Sequence, residues 1–485
     1  MKPRTTVTVF VVLLAAGLTT GITTASAQTT RWDGSGTWIK PGSWDNGIPD
    51  ATKDVVLDAI GTASLNIPDG ATWNTLTATN SVSGSTLTLS AASSGSISGG
   101  SASFSSSGNG LIKITPPTAG SLTLSGSMLL STSSSVADAV VFTVGANSSV
   151  TVNGGIYLGS SAAGQNNASL YQGAINSSNA PVINADVTFN NGSRFLGGSD
   201  AAANTVLTFN GNVTLQAGSF SGAAAYFNVG RASNAELGFT VKIRDSLSVS
   251  SGTVQIRKNR ILEVGSATIG SAGTLVLTGV VNSTDDAVFR SLGNLTVNGG
   301  TLNANNATGN GGGYLLDIGG DFSLGTGSTV LLNSTVGKGI TTMELAGNFN
   351  VSAVSLSSGN LNQLRLTLNG TAPQTLEAAV LSGNQTFAVN TLTLDTDYVS
   401  LVNNYVNLGA DEFFKTDVLF NIGETTLDLN GLQFYVGDYE LQTGVYTDFG
   451  GTLTVISVPE PSALLLLGAG FIGFLSFRGR QQRNS

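Results

Sequence analysis

The chain has 485 residues, a formal net charge of −9, and neither Cys nor His. Without those two residue types there are no disulfides, thiolate nucleophiles, iron–sulfur clusters, Ser-His-Asp triads or imidazole acid–base groups. Only 10% of the residues are charged, against about 25% in an ordinary globular domain; the 41% hydrophobic fraction still suffices for a core.

Residues 1–27 open with Lys2 and Arg4, continue with an apolar run from Val7 to Leu18, and end on Ala25-Ser26-Ala27. A basic start, a short apolar stretch and a small-x-small site make a secretory signal peptide, with a signal helix and with Ala25 and Ala27 as the cleavage residues. Export through the Sec translocon is implied, and the mature chain begins at Gln28. The other reading, a permanent N-terminal transmembrane helix, needs a longer and less Thr-interrupted run.

Residues 28–79 carry all four Trp. Three of them, Trp32, Trp38 and Trp44, are six apart, within Trp32-Asp-Gly-Ser-Gly-Thr-Trp38 and Ser43-Trp44-Asp-Asn-Gly-Ile-Pro49. This pattern resembles the N-terminal start of autotransporter-like β-helix proteins, which implies a Trp-rich cap over the first coils. Large aromatics suit the exposed core edge of a stacked fold. As the alternative, Trp32, Trp38 and Trp44 are candidate carbohydrate contacts, because an aromatic face can stack on a pyranose ring. Asp45, Asp50, Asp54 and Asp58 are close enough in sequence to raise calcium, but no calcium-loop pattern contains them and solvated surface positions are the simpler expectation.

Residues 80–394 read as an array of short strands. The template apolar-x-apolar-x-x-Gly-[Ser/Thr]-apolar recurs in Val213-Thr-Leu215-Gln-Ala-Gly218-Ser-Phe220, Leu247-Ser-Val249-Ser-Ser-Gly252-Thr-Val254 and Leu295-Thr-Val297-Asn-Gly-Gly300-Thr-Leu302. Ala267 to Leu275 fits with one residue inserted. Alternation turns one face inward, and Gly supplies a positive φ at a corner. Equivalent residues Val249, Ile269, Val297 and Leu324 are 20 to 28 apart, a step that suits the coils of a β-solenoid. The stretch within 80–135, poor in large apolar residues, still carries Leu87, Leu89, Ile97, Phe104, Ile112 and Ile114, as thin coils would. The expected fold class is all-β, an elongated β-solenoid (parallel β-helix); separate β-sandwiches are the alternative.

Chemistry-bearing clusters are few. The acidic pairs are Asp285-Asp286, Asp395 with Asp397, and Asp411-Glu412, all in turn-like settings. Arg257-Lys258-Asn259-Arg260 is the one basic run and reads as an exposed bend. The only Gly-Lys, Gly337-Lys338, has Leu332 where a phosphate loop needs its leading Gly. No catalytic, cofactor-binding or metal-binding residue is assigned, and so acidic a chain disfavours nucleic acid.

Residues 395–457 bring aromatics back (Phe413, Phe414, Phe420, Phe434, Tyr435, Tyr439), as a C-terminal β cap would. Residues 458–485 then combine Val458-Pro459-Glu460-Pro461-Ser462, an apolar stretch from Ala463 to Phe477, and Arg478, Arg480 and Arg483. Fifteen residues of helix reach about 23 Å, short of a bilayer core of about 30 Å, and the trailing cations would stay on the cytoplasmic side. This trio resembles the PEP-CTERM sorting signal of Gram-negative bacteria. The resemblance implies a short C-terminal transmembrane helix, transient anchoring in the inner membrane and processing by an exosortase-type enzyme.

The functional expectation is an exported structural or adhesive protein of the cell surface or extracellular matrix, with extracellular polysaccharide as a partner. The alternative is a polysaccharide-degrading β-helix lyase or glycosidase, which would need paired carboxylates or a base beside calcium.

Overall fold

The computed structural model describes residues 27–456 apart from 35, 60, 146, 164–165, 173–179, 198–204, 231–237, 279–285, 307–312, 333–339, 352–362, 378–379, 382–384, 387, 403–412, 423 and 447–451. The expected signal helix and the expected C-terminal transmembrane helix lie outside the described residues. Among the described residues no helix is long and apolar enough to cross a membrane; Pro41–Ser43 forms a single 3-10 turn.

Runs of three to six alternating residues, broken by Gly, Asn and Ser, dictate short strands joined by tight corners. The chain winds these strands into about 13 turns of a β-solenoid. One turn shows the plan: Val187–Phe189 lies in a first sheet, Ser193–Gly197 in a second and Val206–Phe209 in a third, after which Val213–Leu215 returns to the first. Each strand pairs in parallel with its counterpart one turn away, as Val187 does with Val213 and Phe195 with Phe227.

The steps read from the sequence are the rungs themselves. Val249 sits beside Ile269, Ile269 beside Val297, and Val297 beside Leu324. The recurring template is the corner between the first and second sheets. Its glycines are needed for two different reasons. Gly252 has φ +110°, a region closed to most side chains. Gly273 has no such φ, but a Cβ there would meet the Val249 carbonyl oxygen at 2.0 Å. There the requirement is close approach of two rungs, not the positive φ the template suggests.

Inward residues of all three sheets form one dry interior. Phe189, Phe195, Phe209 and Phe227 are fully buried, and the Phe195 and Phe227 rings stack at 4.4 Å. A void of about 20 Å³ interrupts the packing near Ile67, Trp73, Phe104 and Phe142; its apolar lining leaves a water no partners. The stretch read as thin coils forms ordered rungs, with Leu89 beside Ile114 and Phe104 beside Leu130.

Parallel pairing runs through both segments expected to carry caps. It starts with Gln28–Arg31 against Lys53–Ala59 and runs to Thr425–Asp428 against Leu453–Ile456. Antiparallel pieces are short: an isolated Trp32–Trp44 bridge, Val380–Leu381 with Gln385–Thr386, Gln433–Val436 with Tyr439–Glu440, and Gly444–Tyr446 with Leu453–Ile456.

Two turns differ from the rest. Phe239–Arg257 and Arg260–Thr278 each run through all three sheets as one bent strand of 19 residues. Only Lys258 and Asn259 join them, with Asn259 at φ +59°. The bend expected from the basic run is therefore present. Its exposure is not: Lys258 and Arg260 are 5% and 2% exposed.

Candidate functional surface

Stacking converts residues about one turn apart in sequence into outward rows along the rod. In the first sheet the central row is Thr188, Thr214, Ser248, Thr268, Thr296, Ser323 and Asn350, one residue per rung. Parallel strands set these groups about 4.8 Å apart. Every member is neutral and carries a hydroxyl or an amide, so no like charges are stacked.

A second row follows the corner before the same sheet. The Asp186 carboxylate accepts from the Asn212 backbone N–H at 2.8 Å, and Asn212 Oδ1 accepts from Ser246 Oγ at 2.6 Å. Further along, Asn294, Asp321 and Asn348 each accept the backbone N–H of Asp321, Asn348 and Thr375 at 2.8, 2.7 and 2.8 Å. These Asx side chains satisfy the corner donors that the turn leaves without a ladder partner.

The third sheet carries the charge. Lys242, Glu263, Arg290 and Asp317 are neighbours in one row, with alternating sign. Lys242 Nζ lies 3.0 Å from Glu263, and Arg290 bridges Glu263 at 3.7 Å and Asp317 at 2.6 Å.

The second sheet holds a compact polar cluster. The Asp138 carboxylate accepts hydrogen bonds from Ser169 Oγ and Tyr171 OH, both at 2.6 Å, and from Arg194 Nε at 3.1 Å. Burial pushes the Asp138 carboxyl up, but the hydrogen bonds from Arg194, Ser169 and Tyr171, with the Arg194 charge, outweigh it and hold it below its ordinary 3.8. Burial, followed by the bond to Asp138, pushes the Tyr171 phenol up to about 12. The cluster binds three successive rungs and leaves Asp138 ionised and fully engaged.

The candidate residues from the sequence fall as follows. Trp32, Trp38 and Trp44 are 5%, 2% and 5% exposed. Trp38 packs edge-on against Trp44 at 5.4 Å and Trp73 at 5.9 Å, and the Trp44 indole N–H donates to the Trp38 carbonyl at 2.9 Å. The three rings are buried among one another and the first rungs. A surface recess of about 380 Å³ borders Trp38, walled by Thr37, Ile39, Asn66 and Pro68.

The early aspartates serve the framework. Asp45 accepts from the Arg31 backbone N–H at 2.6 Å, Asp50 from Thr52, Asp54 from Asn74 and Thr75, and Asp58 pairs with Arg31 at 2.8 Å. Among the described residues no group of three or more His, Cys, Asp or Glu side chains is placed to hold a metal ion. Asp395 and Asp397 are exposed at a corner, and Asp286 accepts the Gly313 backbone N–H at 2.5 Å. Asp285, Asp411 and Glu412 lie outside the described residues. So do Ala25 and the sorting residues Val458, Pro459, Glu460, Pro461, Ser462, Arg478, Arg480 and Arg483.

Low charge in stacked coils implies ladders of Ser, Thr and Asn, and the first sheet carries one; sequence reasoning missed which residues form the rows, and missed the charged row. Their signal was present: the middle position of the template is Ser or Thr in copy after copy, and Lys242, Glu263, Arg290 and Asp317 are spaced by about the coil step.

Comparison with known proteins assigns the C-terminal region. Residues 457–481 match the family model of the PEP-CTERM protein-sorting motif, one residue ahead of the start read from the sequence. No curated protein and no solved structure matches the chain. The chain carries a PEP-CTERM protein-sorting motif behind a β-solenoid body, and that motif implies a protein exported and membrane-anchored before processing.

Proposed function

We propose that this protein is a structural or adhesive component of the cell surface or extracellular matrix, released from the membrane by an exosortase-type enzyme and performing no turnover itself. The observation that carries this reading is the first sheet: a row of hydroxyls and amides repeated rung after rung, on a rod built for export. Such a surface makes many weak, equivalent contacts, and linked weak contacts add up to avidity. Extended neutral polysaccharide suits it best, because its own hydroxyls can exchange hydrogen bonds with the row without desolvating a charge.

The charged groups support the same reading. Asp138, Arg194, Glu263, Arg290 and Asp317 are engaged with one another across rungs, which is framework work. A lyase or glycosidase would instead need two carboxylates about 5–10 Å apart flanking a sugar-binding cleft.

The test is a glycan array paired with a turnover assay on the secreted protein. Binding to neutral polysaccharide without product release is expected. Release of oligosaccharide would overturn the proposal. Replacing Thr214, Thr268 and Thr296 by Lys should weaken polysaccharide binding in proportion to the number replaced.

A further inference from the structure

The outward side of the third sheet changes character at its last rung. Two turns earlier its outward residues are Arg365 and Thr367, followed by Asn369, and one turn earlier they are Thr391 and Thr393, followed by Asp395. In the last described rung the same positions hold Val418 and Phe420, followed by Ile422. These three are 41%, 52% and 62% exposed, while Leu419 between them faces the core. No described strand continues the third sheet beyond 418–421.

The patch is not an isolated apolar residue of the ordinary kind. Among the described residues, Val418, Phe420, Ile422, Tyr439 and Val445 gather at this end of the rod, whereas Ile39, Tyr157, Leu292 and Ile340 are scattered along the rest. Contiguous exposed apolar groups mark a contact surface.

We propose that this end of the rod rests on the bilayer interface while the C-terminal segment holds the protein in the membrane, with Val418, Phe420 and Ile422 as the contact. The proposal depends on reading that segment as the membrane anchor. The chain leaves the last rung of the first sheet at Ile456, and only residues 457–462 precede the apolar stretch that begins at Ala463. Extended backbone spans at most about 3.6 Å per residue, so this end stands within roughly 25 Å of the bilayer. Phe buries at the headgroup–acyl boundary and Tyr settles at the headgroup level.

Charge decides what kind of surface is met. Asp417, Glu424, Asp438 and Glu440 surround the patch, and the neighbouring Lys415 is paired with Asp438 at 3.3 Å. An anionic surface would repel this end. The contact is therefore apolar, suited to neutral headgroups, and insensitive to salt.

The chain has no native Cys, so a nitroxide can be placed at F420C and, as a control, at T214C in the first sheet. The full-length labelled protein is reconstituted in phosphatidylcholine vesicles, and each label's accessibility to oxygen and to a water-soluble nickel complex is measured. The expected result is an oxygen-to-nickel ratio several-fold higher at 420 than at 214, unchanged by salt and not raised by anionic lipid. Equal ratios in protein that floats with the vesicles would overturn the contact and leave the anchor reading intact. Shielding of 420 from both reagents, with spin–spin broadening between molecules, would assign the patch to a second copy and also overturn it. Failure to float would overturn both the anchor reading and the proposal.

Discussion

At the residue scale, identity is set by which side of a rung a position occupies. Phe227 is fully buried and stacked on Phe195, so Phe227→Ala removes aromatic contacts and leaves a cavity that rigid sheets cannot close. A loss of about 3–5 kcal/mol is expected, read as a lower denaturant midpoint. Asp138 makes a pH prediction. Its folded pKa lies below the unfolded value, so its contribution is present above pH 3.8 and is lost as pH falls through the lower folded value. Asp138→Asn should flatten the acid limb of a stability–pH profile; an unchanged limb would show that the cluster contributes nothing. Tyr171 has the opposite sign at the alkaline end. Its folded pKa, about 12, exceeds the ordinary 10.0, so its contribution holds below pH 10 and fades as pH rises toward 12, which an ultraviolet titration of the phenolate follows. Inward positions such as Leu247, Val249, Leu295 and Val297 were legible from alternation. Asp138, Ser169, Tyr171 and Arg194 were not, because their meeting depends on register across 56 residues.

At the element scale, the rung is the unit. The alternating charges of Lys242, Glu263, Arg290 and Asp317 form a ladder whose members are partly exposed, Arg290 at 38% of its side chain. Solvent screening limits such pairs, and a double-mutant cycle between Glu263 and Arg290 should give a coupling of about 1 kcal/mol or less, falling with salt. A coupling well above that would mark the row as a buried network. Register makes a sharper expectation. Inserting one residue between Thr296 and Val297 turns the inward row outward, whereas inserting one at the long connection after Thr278 leaves every described strand in phase. Limited proteolysis should detect the first insertion and tolerate the second. The coil step was legible because Gly252, Gly273 and Gly300 recur at it. Exposure of the basic bend was misread because local composition does not show what packs over Lys258 and Arg260.

At the scale of the whole molecule, a shared interior replaces the separate cores of compact domains. Each turn buries its apolar face only against its neighbours, so stability grows by stacking and the ends need closure. Trp38, Trp44 and Trp73 pack together at one end, and short antiparallel pairs form at the other. Rod and sorting segment were both legible in the sequence, since each rests on a local pattern repeated or placed in a fixed order. The number of turns and the assignment of strands to three sheets were not, because corners of equal composition do not reveal which strands stack.

Disulfide trapping tests the stacked-rung architecture most directly, in a chain with no Cys of its own. Thr268 and Thr296 are neighbours in adjacent rungs, about 4.8 Å apart and within disulfide reach, whereas Thr268 and Ser323 are two rungs apart, beyond it. T268C with T296C should oxidise readily with the fold intact, and T268C with S323C should remain reduced. Rapid closure of the skipped pair, or none of the adjacent pair, would contradict a single parallel rod.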